Sequence, residues 1–354
     1  MKIVFVVPDM AGGGTEKVIS LLANEYVKKG ISVDILLFAG NQVAYKLDER
    51  IQVVFAGEES GGNMAVRARR LLAMRRYFKA NKGCYIFSFS TYGTGFIVMS
   101  TIGMRRRMLV SERTDPRSCD HKPYRDFFYR FADCLVFQTA DAKNCFPENI
   151  RKKSFVLPNP VDPDLPEPYQ GERTKKIVSV GRLVPVKNHR MLIRAFAEFS
   201  RKYEDYSLHL YGQGDLEQEL REQAAKEGVE GKVIFHGFCT DVKEEIKDSG
   251  MFVLSSDFEG ISNAMVEALS MGIPVIATDC PIGGCRMYIR NEENGLLIPT
   301  GDALALVKAM EKIASDIELA RKLSNKGTDT RRSCSAERIA EEMLRIARSS
   351  FDRR

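Results

Sequence analysis

The sequence predicts an α/β protein of two domains, each a doubly wound parallel β-sheet covered by helices on both faces. Short β-rich runs alternate with helical patterns from end to end, which is typical of parallel strands joined by helices. The length of 354 residues accommodates two domains of about 150 residues each. Five prolines fall within Pro158–Arg173, and such a stretch is extended and stiff, so we place the boundary between the domains there.

Each predicted strand is a short β-rich run. In the first half the strands are Ile3–Val7, Val33–Phe38, Gln52–Phe55, Tyr85–Ser88, Met108–Ser111 and Cys134–Phe137. In the second half they are Lys176–Val180, Ser207–Tyr211, Val233–His236, Met251–Leu254, Val275–Ala277 and Gly295–Ile298. The domain boundaries that follow are 1–160, a linker at 161–173, and 174–335. Residues 336–354 are predicted to form a packing helix that could return to the first domain.

The composition is that of a soluble globular protein, with 44% hydrophobic and 28% charged residues. No apolar run reaches the roughly 20 residues that a membrane span requires. The first apolar run is broken by Pro8, so we interpret it as a core strand and not as a signal peptide. The eight cysteines contain no Cys-x-x-Cys pair, and the four histidines have no metal-ligand spacing. We therefore expect a cytoplasmic protein with reduced thiols and no bound metal.

Positive charge is concentrated in the first half. Residues 1–160 hold 25 Lys and Arg against 15 Asp and Glu, and the remainder holds 28 against 32. Such a balance indicates either an anionic partner, namely phosphates, a nucleic acid or a lipid surface, or simply a solvated basic surface. Met64–Ala80 has six basic residues, but Arg67 and Arg75 fall on its apolar arc, so the helix is not cleanly amphipathic. Contact of this segment with the membrane surface is a hypothesis.

The stretch Phe252–Gly284 predicts a site for a phosphate next to hydroxyl groups. It reads as a strand, a small polar loop, a helix and a second strand, with Glu259 and Glu267 on either side of the junction. Helix N-termini present unpaired N–H groups and positive potential, which suit an anion. Carboxylates accept hydrogen bonds from hydroxyls. A phosphate beside polyol hydroxyls describes a sugar nucleotide.

Two further loops follow predicted strands, at the sheet edge where ligands collect in open α/β proteins. Gly12–Gly14 precedes Glu16 and a helix, and lets the backbone approach a ligand closely; a purely structural tight turn is the alternative. Its spacing is neither that of a dinucleotide fingerprint nor that of a P-loop. Arg182 and Lys187 flank a proline-stiffened turn and could bind phosphate oxygens, or could be surface cations in a solvated turn.

Two weaker signals complete the candidate site. Gly237 and Phe238 end a strand and could hold a base through an aromatic ring and backbone groups, although Phe238 could equally be a core residue. The polar cluster Ser111–Arg117 ends another strand and could face a hydroxylated acceptor. Asp162 and Asp164 match an Asp-x-Asp metal pattern, but they lie within the proline-rich stretch and we assign them to the linker.

Taken together, these motifs resemble family 4 of the retaining, nucleotide-sugar-dependent glycosyltransferases. The matching elements, in family order, are GGGTE, SERTDP, LPNPV, GRLVPVKN and EGISNAMVEALSMGIPVIATDCPIGG. The SERTDP and TDCPIGG sequences are most similar to those of bacterial members that extend lipid-linked surface oligosaccharides. The resemblance implies the GT-B fold, two Rossmann-like domains facing each other across a cleft, with the acceptor bound by the N-terminal domain and the nucleotide sugar by the C-terminal one.

The resemblance also implies roles for particular residues. Glu259 would contact the donor-sugar hydroxyls, Glu267 the ribose diol, and Arg182 with Lys187 the diphosphate, so that Glu259, Arg182 and Lys187 are the candidate catalytic residues. The other candidate donor-binding residues are Gly13, Gly14, Gly237, Phe238, Gly260, Ile261, Ser262 and Asn263. The candidate acceptor-binding residues are Glu16, Ser90, Glu112 and Arg113. Many family members have a histidine in a cleft loop where this chain reads Phe87–Gly93, so that contact does not transfer by residue type.

The implied reaction moves a hexose or N-acetylhexosamine from a nucleotide sugar, expected to be UDP-linked, to an acceptor hydroxyl, with retention and without a metal or other cofactor. The expected acceptor is an oligosaccharide, one option being a polyprenyl-diphosphate-linked one, and the N-terminal domain could touch the inner membrane face. Three alternatives remain: a sugar-nucleotide epimerase, an inverting GT-B transferase, or a basic module that binds nucleic acid or lipid without catalysis.

Overall fold

The computed structural model of the chain describes residues 1–57, 64–113, 115–119 and 121–352. In these residues the strands are β1 (Lys2–Val7), β2 (Ser32–Leu37), β3 (Gln52–Phe55), β4 (Tyr85–Ser88), β5 (Arg107–Glu112), β6 (Cys134–Phe137), β7 (Ser154–Val156), β8 (Thr174–Val180), β9 (Ser207–Tyr211), β10 (Val233–Gly237), β11 (Ser249–Leu254), β12 (Val275–Thr278) and β13 (Leu296–Ile298).

The helices of the first half are α1 (Gly14–Lys28), α2 (Met64–Ala80), α3 (Thr91–Ser100), α4 (Lys122–Tyr129), α5 (Ala140–Asn144) and α6 (Glu148–Arg151). Those of the second half are α7 (His189–Ser200), α8 (Glu217–Lys226), α9 (Val242–Ile246), α10 (Asn263–Ser270), α11 (Gly284–Tyr288), α12 (Ala303–Ser315), α13 (Ile317–Gly327), α14 (Asp329–Ser333) and α15 (Ala336–Phe351). Short 3-10 turns occur at Pro116–Ser118 and Pro185–Lys187.

Two parallel sheets organise these elements. The first has the strand order β3-β2-β1-β4-β5-β6-β7 and the second β10-β9-β8-β11-β12-β13. In each sheet the chain first adds strands on one side of its first strand, β1 or β8, and then continues on the other side. Each sheet therefore has a switch point, between β1 and β4 in the first sheet and between β8 and β11 in the second. The prediction of two doubly wound parallel-sheet domains is confirmed. In such sheets the loops at the carboxyl ends of the strands beside the switch point form the ligand site.

Unit 1 comprises Met1–Pro160 together with Ala336–Arg354. Its core is centred on aromatic side chains, with the rings of Phe5 and Phe87 5.6 Å apart in an edge-to-face arrangement. The C-terminal helix α15 completes this core, because its apolar side of Ile339, Met343 and Ile346 is buried there. The buried Tyr26 hydroxyl donates to the Ala340 carbonyl of α15 at 3.0 Å.

Unit 2 comprises Val161–Ser335. One hydrophobic cluster includes Ile177, Phe196 and Leu208, and another includes Phe252 and Met265. Residues 161–173, predicted to be a linker, belong to this unit in the structure. Arg331 anchors the segment by donating hydrogen bonds to two of its carbonyls, those of residues 165 and 166, each at 2.9 Å.

The described helices include none that is both long enough and apolar enough to cross a membrane.

Candidate active site

The candidate donor residues lie at the switch point of the second sheet. Arg182 and Lys187 follow β8, and Glu259 follows β11, the strand that pairs with β8 in parallel. Because the carboxyl ends of neighbouring parallel strands share one edge, this topology brings together residues more than seventy positions apart in the chain. The loops after β9 and β10 lie at the same edge.

The loop after β8 is shaped by its proline and asparagine. Pro185 begins a single 3-10 turn, as its fixed backbone angle favours. Asn188 then adopts a left-handed conformation with φ of 48°, and its side-chain oxygen accepts a hydrogen bond from the Met191 N–H at 3.1 Å. Asparagine tolerates that backbone region and caps helices well, so it both ends the turn and starts α7. This role of Asn188 is not among the predictions from the sequence, although a polar residue before an apolar helix is the relevant signal.

Three hydrogen bonds join this loop to the loop after β11. The Ser255 hydroxyl donates to the Lys187 carbonyl at 2.8 Å, and the Asp257 N–H donates to the Val186 carbonyl at 2.9 Å. The Asn188 side-chain amide donates to the Asp257 carboxylate at 2.7 Å. Lys187 is therefore held at its backbone from both sides, and its position is set before any ligand arrives. Ser255 and Asp257 are not among the site residues predicted from the sequence.

Lys187 and Glu259 form an ion pair between their side chains. The two side chains are 18% and 19% exposed, so each remains reachable from solvent. An ammonium group that is paired to a carboxylate can exchange that partner for a phosphate oxygen. The carboxylate then becomes available to accept hydrogen bonds from hydroxyls. Arg182 lies on the same loop, is exposed, and has no ion-pair partner within the described residues.

The N-terminus of α10 lies directly after Glu259. Ser262 caps the helix, its hydroxyl accepting from the Met265 N–H at 3.3 Å. This bond pairs the Met265 N–H. The N–H groups of Ile261 and Ser262 come before Met265 in the chain, at the N-terminal end of α10. Asn263 and Glu267 are four residues apart on α10 and therefore share one face of the helix. Glu267 is half-buried.

A glycine supports this loop from behind. A Cβ atom on Gly284 would lie 1.6 Å from the Gly260 carbonyl oxygen, so only glycine permits this approach. The Glu259 N–H donates to the Pro281 carbonyl at 3.1 Å in the same contact. The loop that holds Glu259 is therefore fixed against the segment after β12, a role for the PIGG run that the sequence alone did not reveal.

Gly237 and Phe238 are predicted near the base; Gly237 is the last residue of β10, and Phe238 follows it. Gly237 has φ of 67°, which favours glycine, and its carbonyl accepts from the Gly212 N–H at 2.8 Å. A Cβ on Gly212 would in turn lie 2.0 Å from the Gly181 carbonyl oxygen, so the loops after β8, β9 and β10 pack through glycines. Phe238 is 73% exposed, which argues against the alternative that it is a core residue.

His189 lies at the first position of α7, next to Lys187. Burial lowers the pKa of His189 to about 4, and the neighbouring positive charge of Lys187 lowers it further. The imidazole is therefore neutral at neutral pH, and it adds no charge to the two cations of the loop.

In unit 1 the glycine loop follows β1 at the corresponding switch point. Gly13 is the N-cap of α1 in an extended conformation, and its carbonyl accepts from the Tyr45 hydroxyl at 2.8 Å. Gly14 is the first residue of α1, and the half-buried Glu16 follows in its first turn. A Cβ on Gly13 would lie 2.4 Å from a Glu16 carboxylate oxygen, so these residues are close together.

The remaining candidate acceptor residues follow β4 and β5 in unit 1. Ser90 caps α3, its hydroxyl accepting from the Gly93 N–H at 3.2 Å. Glu112 is buried and accepts from the Tyr129 hydroxyl at 2.7 Å. Arg113 is also buried and donates to the side chains of Ser111 at 2.7 Å and Asn159 at 2.6 Å. Glu112 and Arg113 are thus hydrogen-bonded within unit 1. Only the small exposed part of each side chain is available to contact an acceptor. Thr114 of the same motif lies outside the described residues.

Among the described residues, no group of three or more His, Cys, Asp or Glu side chains could hold a metal ion. The Asp-x-Asp pair at Asp162 and Asp164 is accounted for within the fold. Asp162 forms an ion pair with Lys243 at 2.9 Å and also accepts from the Asp164 N–H at 3.0 Å.

Part of the chain matches a known protein family. Residues 164–330 match the family described as "Glycosyl transferases group 1". A Campylobacter jejuni protein is 25% identical over 98% of this chain and 98% of its own length; it is named GalNAc-α-(1→4)-GalNAc-α-(1→3)-diNAcBac-PP-undecaprenol α-1,4-N-acetyl-D-galactosaminyltransferase. The lipopolysaccharide core biosynthesis glycosyltransferase LpsE of Rhizobium meliloti is 33% identical over 44% of each chain.

Solved structures agree on the fold. The crystal structure of Anabaena HepE in complex with UDP superposes with a TM-score of 0.84 at 18% identity, covering 99% of this chain and 100% of that one. A sucrose-phosphate synthase from Thermosynechococcus elongatus superposes with a TM-score of 0.81 at 19% identity and covers all of both chains. The two-sheet architecture described above is the GT-B fold.

Proposed function

Because this chain is a glycosyltransferase of the GT-B fold, we propose that it transfers a hexose or N-acetylhexosamine from a UDP-sugar to a hydroxyl of a lipid-linked oligosaccharide, with retention. The observation that carries the proposal is the Lys187–Glu259 pair, at the switch point and beside the N-terminus of α10. A cation that can bind phosphate and a carboxylate that can accept hydrogen bonds from sugar hydroxyls, side by side, support the proposal.

Lys187 and Arg182 stabilise the negative charge that develops on the diphosphate as the bond between it and sugar C1 breaks. The amides at the start of α10 add partial positive charge at no cost in reorganisation. Glu259 accepts hydrogen bonds from the sugar hydroxyls and holds C1 toward the acceptor. The acceptor oxygen then bonds to C1 on the face that the diphosphate leaves, its proton passes to a phosphate oxygen, and an α-glycoside and UDP are the products.

The acceptor and the nucleotide are proposed from relatives. The names of two Campylobacter jejuni relatives describe transfer onto undecaprenyl-diphosphate-linked acceptors, and the Anabaena neighbours were solved with UDP, UDP and glucose, or UDP-glucose. A lipid-linked acceptor would also explain the positive charge of residues 1–160. That charge would attract the diphosphate of the lipid and an anionic membrane face. The enzyme would then act at the cytoplasmic face of the membrane as a peripheral protein.

The test is product analysis with undecaprenyl-diphosphate-linked acceptors and a panel of UDP-, GDP- and ADP-sugars, in buffer containing EDTA. We expect UDP release and a new α-linkage by NMR, with activity unaffected by EDTA. A β-linkage would show inversion, and an epimerised free sugar nucleotide without acceptor consumption would show an epimerase. Loss of activity in EDTA that magnesium restores would contradict metal independence.

A further inference from the structure

A long segment of unit 1 is entirely basic in its charged residues. From Met64 to Arg107 the sequence contains ten Lys and Arg and no Asp or Glu. This segment forms α2, β4 and α3 and begins β5. In the structure α2 packs against α3, and α3 packs against α4. So many like charges on neighbouring elements repel one another, and an anionic partner relieves that repulsion.

A cavity of about 480 Å³ opens at the amino-terminal ends of β4 and β5. This edge of the sheet is opposite to the one that bears the candidate acceptor residues. The cavity wall includes four cations, namely Lys82, Arg105, Arg106 and Arg107, and no carboxylate. Its apolar part includes Phe78, Ile86 and Met104. Cations around an apolar interior suit a ligand with a phosphate and a hydrocarbon portion.

Exposed apolar side chains adjoin the cavity. Ile102, between α3 and β5, is 64% exposed, and the rings of Phe127 and Phe131 are also exposed. The Arg106 guanidinium, part of the cavity wall, lies 5.5 Å from the ring centroid of Phe131. The two phenylalanine rings are 5.5 Å apart, and a second guanidinium, that of Arg130, lies 5.7 Å from the Phe127 ring. Cations over exposed rings combine the two groups that favour the interface of a bilayer.

A structural role explains only some of these cations. Arg75 donates to the Ser100 and Ile102 carbonyls at 3.1 and 2.9 Å, and Arg107 donates to the Gly83 carbonyl at 3.5 Å. Those arginines therefore pair with backbone carbonyl groups, as cations near helix C-termini commonly do. Lys82 and Arg105 are exposed and have no ion-pair partner in the described part of the chain.

We propose that this basic-aromatic face, formed by Lys82, Ile102, Arg105, Arg106, Phe127, Arg130 and Phe131, binds the surface of an anionic phospholipid bilayer. A lipid phosphate enters the cavity, while the apolar side chains of Ile102, Phe127 and Phe131 sit among the headgroups. The choice of a bilayer follows from the combination of the cations Lys82 and Arg105, which have no ion-pair partner among the described residues, and exposed apolar groups on one face. This face would hold the enzyme at the membrane that contains the lipid-linked acceptor. The biological role of the face therefore rests on the proposed function.

Helix α3 connects the acceptor edge of the sheet to the edge that bears the cavity. Helix α3 begins beside Ser90, at the edge of the sheet that holds the candidate acceptor residues, and ends at Ser100 near the cavity. Ten helical residues span about 15 Å. A bilayer on the basic-aromatic face would therefore lie about 15 Å from the acceptor edge along α3.

Binding to vesicles tests the proposal without donor or acceptor. The variant Ile102→Ser/Lys82→Glu alters the face, and the matched control Ile317→Ser/Lys322→Glu makes the same changes on α13 of unit 2, where Ile317 is 62% exposed. With vesicles of phosphatidylglycerol and phosphatidylcholine, we expect the first variant to partition about tenfold or more weakly than the wild type. The control should stay within about twofold of the wild type, and raised salt should weaken wild-type binding.

A fluorescent reporter gives a second measurement, because the chain contains no tryptophan. Ile102→Trp places a single indole on the face, and Ile317→Trp places one at a similarly exposed control position. Addition of anionic vesicles should shift the emission of the first to shorter wavelength and leave the second unchanged. Vesicles of phosphatidylcholine alone should give a much smaller shift.

Several results would overturn the proposal: equal binding by both double variants, no emission shift at position 102, or equal binding to neutral and anionic vesicles. Inhibition of vesicle binding by millimolar inorganic phosphate alone would assign the cavity to a free anion instead. The proposed function is read out separately, with a short-chain soluble acceptor. Failure to bind vesicles with normal transfer would refute only the membrane face, and vesicle binding without transfer would refute only the proposed reaction.

Discussion

At the scale of single residues, the two cations of the loop after β8 differ in how they are held. The backbone of Lys187 is fixed by the loop after β11, and its side chain is paired with Glu259. Arg182 follows Gly181, is exposed, and has no ion-pair partner among the described residues. We interpret Lys187 as a preorganised group and Arg182 as one that closes on the diphosphate when the donor binds.

We predict that Lys187→Ala and Arg182→Ala each lower kcat by about 10²–10³, because each removes a charge that stabilises the leaving diphosphate. Turnover of UDP-sugar with saturating acceptor is the measurement. Lys175→Ala is the matched control, since Lys175 forms an exposed ion pair with Asp205 in the same unit. Near-normal turnover in both site variants would refute the assigned site.

Glu259→Gln should separate binding from transfer. The change removes the carboxylate that competes with phosphate for Lys187, so the affinity for UDP should stay the same or increase. Transfer should fall about tenfold or more, because the amide accepts sugar hydroxyls less strongly than the carboxylate. Calorimetric titration with UDP and steady-state kinetics measure the two effects. A parallel loss of UDP affinity and kcat would show that Glu259 acts mainly by positioning the loop.

The stability of unit 2 should depend on the protonation of His189. Its pKa of about 4 in the folded state lies below the ordinary value of 6.5, so the unfolded chain binds the proton more tightly. The resulting stability is present above pH 6.5 and is lost as the pH falls toward 4, by about 3 kcal/mol. Chemical denaturation at several pH values should show this slope, and His189→Gln should flatten it.

At the scale of elements, the glycine beneath the Glu259 loop is a sensitive position. Gly284→Ala would place a methyl group against the Gly260 carbonyl, so the loop has to move. We expect a loss of about 1–3 kcal/mol in stability and weaker UDP binding, as for other overpacked sites. Gly231→Ala is the control, because a Cβ there meets no atom within 4 Å. Thermal denaturation and UDP titration of both variants measure the difference.

The elements also show what the sequence can and cannot predict. Twelve of the thirteen described strands were predicted, because buried parallel strands are continuous apolar runs that are easily recognised. The missed strand, β7, has only three residues, one of them exposed, at the edge of its sheet. The left-handed Asn188 and its contact with Asp257 were not predicted, since they depend on which strands are neighbours. Nor was the burial of Glu112 and Arg113, whose charges indicated a surface loop.

At the scale of the whole molecule, the two units have separate cores, and matched substitutions should therefore act on one unit each. Met343→Ala in α15 empties space in unit 1, and Met310→Ala in α12 does so in unit 2; both methionines are fully buried. Each should cost about 2–5 kcal/mol. Hydrogen exchange followed by peptide mass spectrometry should show the loss of protection in the unit that carries the change. Equal loss in both units would show that they unfold as one.

The assignment of α15 to unit 1 has a consequence for how the protein is made. On the ribosome, Met1–Pro160 emerges first, but its core lacks the helix that begins at Ala336 until the 175 residues of unit 2 have been synthesised. At about 5–20 residues per second, that wait lasts roughly 10–35 seconds. During this interval the apolar surface that α15 later covers is open to chaperones, so unit 1 is the last to finish folding although it is the first to be translated.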